Sequence, residues 1–185
     1  MTLRDTISAF QPGCEQEQTD RRLMLQYFDL FPNLLTRDNE LAHLTASCWI
    51  VDPRRELALM AYHNLYRSWA WLGGHADGDA DLLRVALREA KEESGIAGAR
   101  PLCTDPVSLE ILGVDAHRKR GRYVAPHLHL NLTYLLEADD TLPLREKPDE
   151  NSAVRWIPMD ELESAVSEPE MRIIYRKLIE RSRRI

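Results

Sequence analysis

Three glutamates lie close together in the segment REAKEESGI: Glu89, Glu92 and Glu93. On a helix, side chains three and four residues apart are neighbours, so the three carboxylates would share one face. Like charges gathered in this way repel unless solvent, a basic partner or a bound cation compensates them. Hard cations such as Mg²⁺ take oxygen ligands and keep some waters. The spacing therefore indicates either a solvated helix face or a cation site with coordination positions left for a further ligand.

The segment that carries these glutamates has the start and stop signals of a helix over residues 82–94. Asp81 is a natural N-cap, and Gly95 suits the C-terminal position. An apolar stripe, expected to anchor the helix to a sheet, consists of Leu83, Ala86, Leu87 and Ala90. Arg88 lies four residues before Glu92, so we expect it to pair with Glu92 and fix its rotamer.

The rest of the chain supplies the elements that must position this helix. Helical spacing of apolar residues predicts helices over 19–31, from 159 and over 169–185, and β-rich or alternating runs predict strands over 43–52, 57–63, 108–117, 124–138 and 153–158. The order helix, strands, helix, strands, helix predicts an α/β (α+β) fold with a mixed sheet packed between helices. We expect an N-terminal helical extension over residues 1–42 and one domain with a C-terminal helix over residues 43–185.

Composition narrows the function classes. The net charge is −6, which argues against binding to nucleic-acid polymers or anionic membranes. No apolar run approaches the ~20 residues of a membrane-spanning helix, and we find no secretory signal, so a cytoplasmic setting is expected. The three cysteines, Cys14, Cys48 and Cys103, are widely spaced and give no disulfide framework.

Two further groups of side chains are candidates for substrate contacts. The basic run DAHRKRGRY contains Arg118 and Arg120, which could grip phosphates or form a solvated hairpin tip. His127 and His129 share a strand face that could face solvent, line the substrate cleft or bind a soft transition metal, although no third ligand lies nearby in sequence. His75 follows a pair of glycines and could touch substrate or cap the loop.

Residues 74–96 resemble the Nudix box, G-x5-E-x7-R-E-U-x-E-E-x-G-U, in which U is a bulky aliphatic residue. The matching residues are Gly74, Arg88, Glu89, Glu92, Glu93, Gly95 and Ile96. Ala90 stands where a bulkier residue is usual, and Ala80 replaces the isolated glutamate of the pattern. The segments HLTASCWIV, SWAWLGGHADGD, HLHLNLTYLLEA and DENSAVRWIPMDEL are also similar to a Nudix subgroup with a GGHxDG loop and an N-terminal helical extension.

The resemblance implies an enzyme that cleaves a diphosphate linkage in a nucleoside diphosphate joined to another group, with Mg²⁺ or Mn²⁺. It implies Glu92 and Glu93 as the chief metal ligands, Glu89 as a third, and Arg88 as the residue that orients the acids. The turn at Gly73 and Gly74 would shape the site. The expected partner is a small-molecule diphosphate, and the chain could also form a homodimer.

The general base and two other functions stay open at this point. Glu150, in KPDENS, is either a loop acid that acts as the base or an exposed turn residue. An isopentenyl-diphosphate isomerase would need a catalytic cysteine in a strand context that Cys48 and Cys103 lack. A non-catalytic ligand-binding module is favoured only by Ala80, whereas the retained glutamates favour a hydrolase.

Overall fold

The computed structural model describes residues 2–119 and 121–185, which form five helices and ten strands. The helices are α1 (Leu3–Ala9), α2 (Glu15–Leu30), α3 (Leu82–Ser94), α4 (Leu162–Ala165) and α5 (Pro169–Ser182). The strands are β1 (Ala42–Val51), β2 (Leu57–His63), β3 (Ser68–Ala70), β4 (Leu72–His75), β5 (Arg100–Pro101), β6 (Ser108–Val114), β7 (His117–Lys119), β8 (Arg122–Val124), β9 (His127–Glu137) and β10 (Asn151–Pro158). None of the described helices is long and apolar enough to cross a membrane.

The main sheet is mixed, and its centre is the parallel pair of β1 and β9. Its strand order is β10-β2-β1-β9-β5, with β3 paired to β2, β4 to β1 and β6 to β9. Strands β7 and β8 form a separate two-stranded sheet. The strands predicted over 43–52 and 57–63 are present as β1 and β2, which pair antiparallel with Val51 opposite Ala58. This architecture confirms the predicted α+β class.

The two faces of the sheet bury different cores because side chains alternate along β1. Leu44, Ala46 and Cys48 belong to a core cluster that includes the apolar residues of α3. Trp49 and Val51 belong to a second cluster, with Tyr175 and other residues of α5. The sheet therefore lies between α3 on one face and α5 on the other, as the sequence predicts.

The predicted turn at Gly73 and Gly74 is wrong, because both residues lie within β4. Gly73 pairs with Ser47 and Gly74 with Ala46 of β1. A Cβ atom on Gly73 would lie 2.6 Å from the carbonyl oxygen of Ala46 and 2.8 Å from Ser47 Oγ. The glycines are needed because β4 approaches its neighbours closely. In the sequence alone, a pair of glycines in a strand looks the same as a pair of glycines in a turn.

The N-terminal helices pack on the sheet and join its buried charges. Helix α2 starts at Glu15, four residues before the predicted start, and its Glu17 is fully buried. Arg181 of α5 donates hydrogen bonds of 2.6 and 2.7 Å to the Glu17 carboxylate. Lys177 Nζ lies 2.9 Å from Glu17 and 2.8 Å from Glu110 of β6. The first 42 residues thus contact the C-terminal helix directly.

The polar stripe of β9 continues this buried network. Asn131 and Thr133 are 1% and 0% exposed. Asn131 Oδ1 accepts hydrogen bonds from Thr45 and Ser47, and its Nδ2 donates to Glu110. The sequence predicts that the β9 face carrying His127 and His129 faces solvent, lines a cleft or binds a metal. Asn131 and Thr133, further along the same face, instead lie inside the protein, where each polar atom has a partner.

Candidate active site

Helix α3 has the ends that the sequence predicts, Leu82 and Ser94. Asp81 caps it by accepting a hydrogen bond from the Arg84 backbone at 3.1 Å. Gly95 ends it in the left-handed region, at φ 67°. The buried face differs from the predicted stripe, because Leu83 and Leu87 are only partly buried. The fully buried side chains are Leu82, Val85, Ala86, Glu89, Ala90, Glu93 and Ser94.

Two of the three helix carboxylates are therefore buried against the sheet rather than solvated. Glu89 is 9% exposed and Glu93 is 8% exposed. The Glu89 carboxylate lies against Gly74, where a Cβ atom would be 2.5 Å from Glu89 Cδ. Glu93 receives a hydrogen bond from the Gly73 backbone. The glycine pair of β4 is the surface on which these two acids rest.

Burial and mutual repulsion raise the pKa of both buried acids. For Glu89 the main cause is desolvation, which the nearby Arg88 only partly offsets. For Glu93 the pKa lies well above its ordinary value, first because of desolvation and then because Glu150 and Glu89 are close. A cation bound among these groups would favour their charged forms.

Arg88 contacts Glu89 more closely than Glu92. Its Nη2 donates to Glu89 Oε1 at 3.1 Å, whereas its Nε lies 4.0 Å from Glu92 Oε1. Its guanidinium also reaches the backbone oxygen of His75 at 3.5 Å. The predicted pairing with Glu92 is thus the weaker of the two, and Arg88 chiefly holds Glu89. The Glu92 side chain is 49% exposed and lies at the edge of the site.

The loop before β10 brings Glu150 to the helix acids. Asn151 Nδ2 donates to the Glu93 backbone oxygen at 3.0 Å, which fixes the loop to the end of α3. Lys147 Nζ lies 3.1 Å from Glu150 and 3.8 Å from Glu92. Sequence reasoning found Glu150 but missed Lys147. The available signal was its position three residues before Glu150.

The carboxylates Glu89, Glu92, Glu93 and Glu150 suit a hard divalent cation. Two positively charged groups, Arg88 and Lys147, lie within 4.0 Å of three of these acids, Glu89, Glu92 and Glu150, so the group keeps an excess of acidic oxygens. Within the described parts of the chain, no three of these carboxylates bring oxygens within 4.8 Å of one another. Water or phosphate oxygens would complete the shell of an ion bound among them, as is common for Mg²⁺.

The predicted substrate ligands fall into two places. Arg118 is exposed in the β7–β8 hairpin and donates to the Gly121 backbone oxygen at 3.1 Å, and Arg120 lies outside the described residues. His75 follows Gly74 in β4, so its side chain points to the sheet face opposite Glu89. His127 and His129 lie on that opposite face as well. Thr45 of β1 pairs with His75, and His43, two residues earlier on the same face of β1, pairs with His129. Their roles as substrate ligands stay predictions.

Cys48 and Cys103 lack the features of a catalytic thiol. Cys48 is 0% exposed, its Sγ donates to the Leu72 backbone oxygen at 3.2 Å, and burial raises its pKa. Burial also raises the pKa of Cys103. Reactive cysteines are accessible and have a lowered pKa, so this environment disfavours the isomerase alternative.

The fold and the site define the class of protein: an α+β domain in which a helix presents carboxylates to a glycine pair on a mixed sheet. The family profile described as the NUDIX domain matches residues 41–181, well over half of the chain. The chain therefore belongs to the Nudix family. No curated protein matches it.

Solved structures show the same fold at low identity. A Nudix-family hydrolase from Clostridium perfringens is 18% identical, with a TM-score of 0.56 and coverage of 75% of this chain and 96% of that one. The M. smegmatis Nudix hydrolase RenU is 17% identical, with a TM-score of 0.54 and coverage of 77% and 87%. A C. elegans Ap4A hydrolase binary complex is 17% identical, with a TM-score of 0.51 and coverage of 73% and 93%. These likenesses concern the fold.

The contact of Gly74 with Glu89 leads to a prediction. Gly74→Ala would place Cβ against the Glu89 carboxylate and force that side chain to move. If Glu89 is a metal ligand, as the sequence predicts, we expect turnover to fall about tenfold to a hundredfold. Gly113→Ala is the matched control, because Gly113 also lies in a strand and a Cβ there meets nothing within 4 Å in the described structure. Steady-state kinetics on both variants checks this, and equal effects would contradict it.

Proposed function

We propose that this protein is a divalent-cation-dependent hydrolase that cleaves a diphosphate linkage in a nucleoside diphosphate joined to another group. Membership of the Nudix family supports the reaction class. The observation that carries the proposal is the burial of Glu89 and Glu93 against the β4 glycines beside Glu150. A purely structural helix face has no need to bury two acids that repel each other.

The helix residues hold the cation in this proposal. Glu92 and Glu93 are its chief ligands and Glu89 is the third, and the ion is Mg²⁺ or Mn²⁺. When bound, such an ion neutralises phosphate oxygens and lowers the pKa of water. Gly74 and Arg88 fix the position of Glu89, one by close packing and the other by its 3.1 Å hydrogen bond.

Glu150 is the general base of the proposal. It is partly exposed, belongs to a loop rather than to α3, and lies close enough to Glu93 to raise that residue's pKa. A carboxylate at the solvent side of the site can accept a proton from a water that attacks phosphorus. Lys147 restrains it through the 3.1 Å ion pair. Arg118 and Arg120 add affinity for substrate phosphates.

The alanine at position 80 is compatible with catalysis in this account. Ala80 is exposed at the start of α3. Asp79 accepts two hydrogen bonds from Arg84, at 2.6 and 2.9 Å, and Asp81 caps the helix. These contacts stabilise the helix start without a glutamate, so the missing acid does not favour the binding-module alternative. We further propose that the chain belongs to the GGHxDG subgroup and is a cytoplasmic enzyme that can form a homodimer.

A substrate panel tests the proposal. The panel contains ADP-ribose, other nucleoside diphosphates joined to a second group, and Ap4A, the substrate named for the C. elegans protein. Each compound is incubated with Mg²⁺ or Mn²⁺, and phosphate release is followed after phosphatase treatment. We expect cation-dependent turnover of at least one compound. If a compound protects the protein from thermal unfolding but no compound is turned over, the proposal is wrong and the protein is a non-catalytic ligand-binding module.

A further inference from the structure

Four histidines gather on the sheet face opposite the acidic site. They come from three strands: His43 from β1, His75 from β4, and His127 and His129 from β9. The ring centroid of His43 lies 5.1 Å from that of His75, 4.9 Å from that of His127 and 5.0 Å from that of His129. We call these four residues the histidine cluster. Sequence reasoning missed it because His43 is far from the others along the chain.

The central member, His43, has an orientation typical of a metal ligand. His43 is only 4% exposed, and its Nδ1 lies 3.0 Å from the Asn39 backbone oxygen. A carbonyl oxygen only accepts hydrogen bonds, so Nδ1 carries the hydrogen and Nε2 keeps its lone pair. A carbonyl at the second ring nitrogen is the usual support of a metal-bound histidine.

The Nε2 atom of His43 is buried and has no hydrogen-bond partner in the described parts of the chain. Leaving a buried polar atom unsatisfied costs free energy, so such an atom calls for an explanation. His43 belongs to a group in which one ligand nitrogen each from His43, His75 and His129 lies within 4.8 Å of the others. A cation bound among the three residues would satisfy His43 Nε2.

His127 extends the group to four. Its Nδ1 lies 2.9 Å from the Ala125 backbone oxygen, which leaves the Nε2 lone pair directed elsewhere. That Nε2 lies 3.2 Å from Nε2 of His129. Tetrahedral Zn²⁺ with Zn–N distances of ~2.0–2.1 Å separates its ligand nitrogens by roughly 3.3 Å. The His127–His129 pair already has this spacing, whereas the nitrogens of His43, His75 and His129 lie within 4.8 Å of one another and would move closer around an ion.

The donor set selects the kind of metal. The group is made of imidazole nitrogens, which suit Zn²⁺ and similar transition metals rather than Mg²⁺. Asp77, the acid whose charge acts on His43, is held by two 2.8 Å hydrogen bonds from Arg37. The helix carboxylates lie on the other face of the sheet. The histidine cluster is thus separate from the acidic site in both position and chemistry.

We propose that the histidine cluster binds one Zn²⁺ ion through His43 Nε2, His75 and His129, with His127 as the fourth ligand. The ion links β1, β4 and β9 at one end of the sheet and stabilises the strand that carries the glycine pair. The site has no open position, which is the arrangement of structural zinc. It does not depend on the proposed hydrolysis.

Zinc binding to the full-length chain, freed of metal by a chelator, tests the proposal. We expect one Zn²⁺ per chain by competition with a chromophoric chelator, and Co²⁺ substitution should give the strong visible absorption of a tetrahedral site. His129→Ala and His75→Ala, both at partly exposed positions, should each weaken Zn²⁺ binding at least tenfold. His63→Ala is the matched control, because His63 lies in β2 outside the cluster, and its zinc affinity should equal that of the wild type.

Two results would overturn the proposal. One is a wild-type chain that takes up no Zn²⁺, or one whose Co²⁺ form has only the weak absorption of an octahedral ion. The other is zinc binding that survives His129→Ala and His75→Ala but is lost in a Glu92→Gln/Glu93→Gln double variant, which would assign zinc to the acidic site. Circular dichroism establishes that each variant is folded before its affinity is compared.

Discussion

Replacing Glu92 with glutamine is expected to lower turnover at least a hundredfold, a loss of ~2.7 kcal/mol of transition-state stabilisation. The change removes the charge of a proposed metal ligand and keeps the size of the side chain. Glu92 is half-exposed, and its ion-pair distances to Arg88 and Lys147 are 4.0 and 3.8 Å. Exposed pairs of this kind contribute little to stability, so the thermal unfolding midpoint should hardly change.

The matched control for Glu92→Gln is Glu180→Gln. Glu180 is also an exposed helix glutamate with an arginine four residues away, Arg184, at 3.9 Å. It lies on α5, outside the proposed site. Steady-state kinetics and thermal melts on both variants separate the two effects. A turnover within about threefold of the wild type for Glu92→Gln would remove this residue from the site.

The second large effect concerns stability. Glu17→Gln is expected to destabilise the protein by about 3 kcal/mol, because the change leaves the partly buried charge of Arg181 without its fully buried partner. For a chain of this length, that corresponds to a fall of roughly 6–12 °C in the unfolding midpoint. Asp29→Asn is the control: Asp29 is 64% exposed and pairs with Arg4 at 3.1 Å, so its loss should cost less than ~1 kcal/mol. Equal midpoint shifts would contradict the account.

The same carboxylate predicts a dependence of stability on pH. Burial raises the pKa of Glu17, but hydrogen bonds from Arg181, Gly13 and Lys177 outweigh this and lower the pKa to about 2. The folded-state pKa is below the unfolded value of ~4.3, so the stabilisation is fully present above that value and is lost as pH falls towards 2. Denaturant unfolding at pH 7 and pH 3 should therefore show a smaller pH effect in Glu17→Gln than in the wild type.

Local signals along the chain predict much of the fold. Helix α3 has its predicted bounds because Asp81 and Gly95 mark its two ends in the sequence. Strand β2, Leu57–His63, also has its predicted bounds, since a polar turn precedes a continuous apolar run. Strand β4 escaped prediction because its glycines are required by contacts with β1, and such contacts join segments that are distant in sequence.

For the candidate site too, the sequence predicts local features but not contacts between distant segments. Helical spacing identifies Glu89, Glu92 and Glu93 as neighbours, but it does not reveal that Glu89 and Glu93 are buried. That burial depends on how α3 is rotated against the sheet, which the partly buried Leu83 and Leu87 do not determine. The positions of Glu150, Lys147 and His43 likewise depend on tertiary contacts between separate elements, so the sequence identified Glu150 as a candidate and did not identify Lys147 or His43.

Mg²⁺ binding to the acidic site is the most direct test of the central claim, since Mg²⁺ prefers oxygen ligands and the histidine cluster offers only nitrogen. Calorimetric titration would compare the wild type, the Glu92→Gln/Glu93→Gln double variant and the Glu180→Gln control. We predict one Mg²⁺ per chain in the wild type and the control, and at least tenfold weaker binding in the double variant. Equal Mg²⁺ affinity in all three proteins would contradict the assignment of the acidic helix as the cation site.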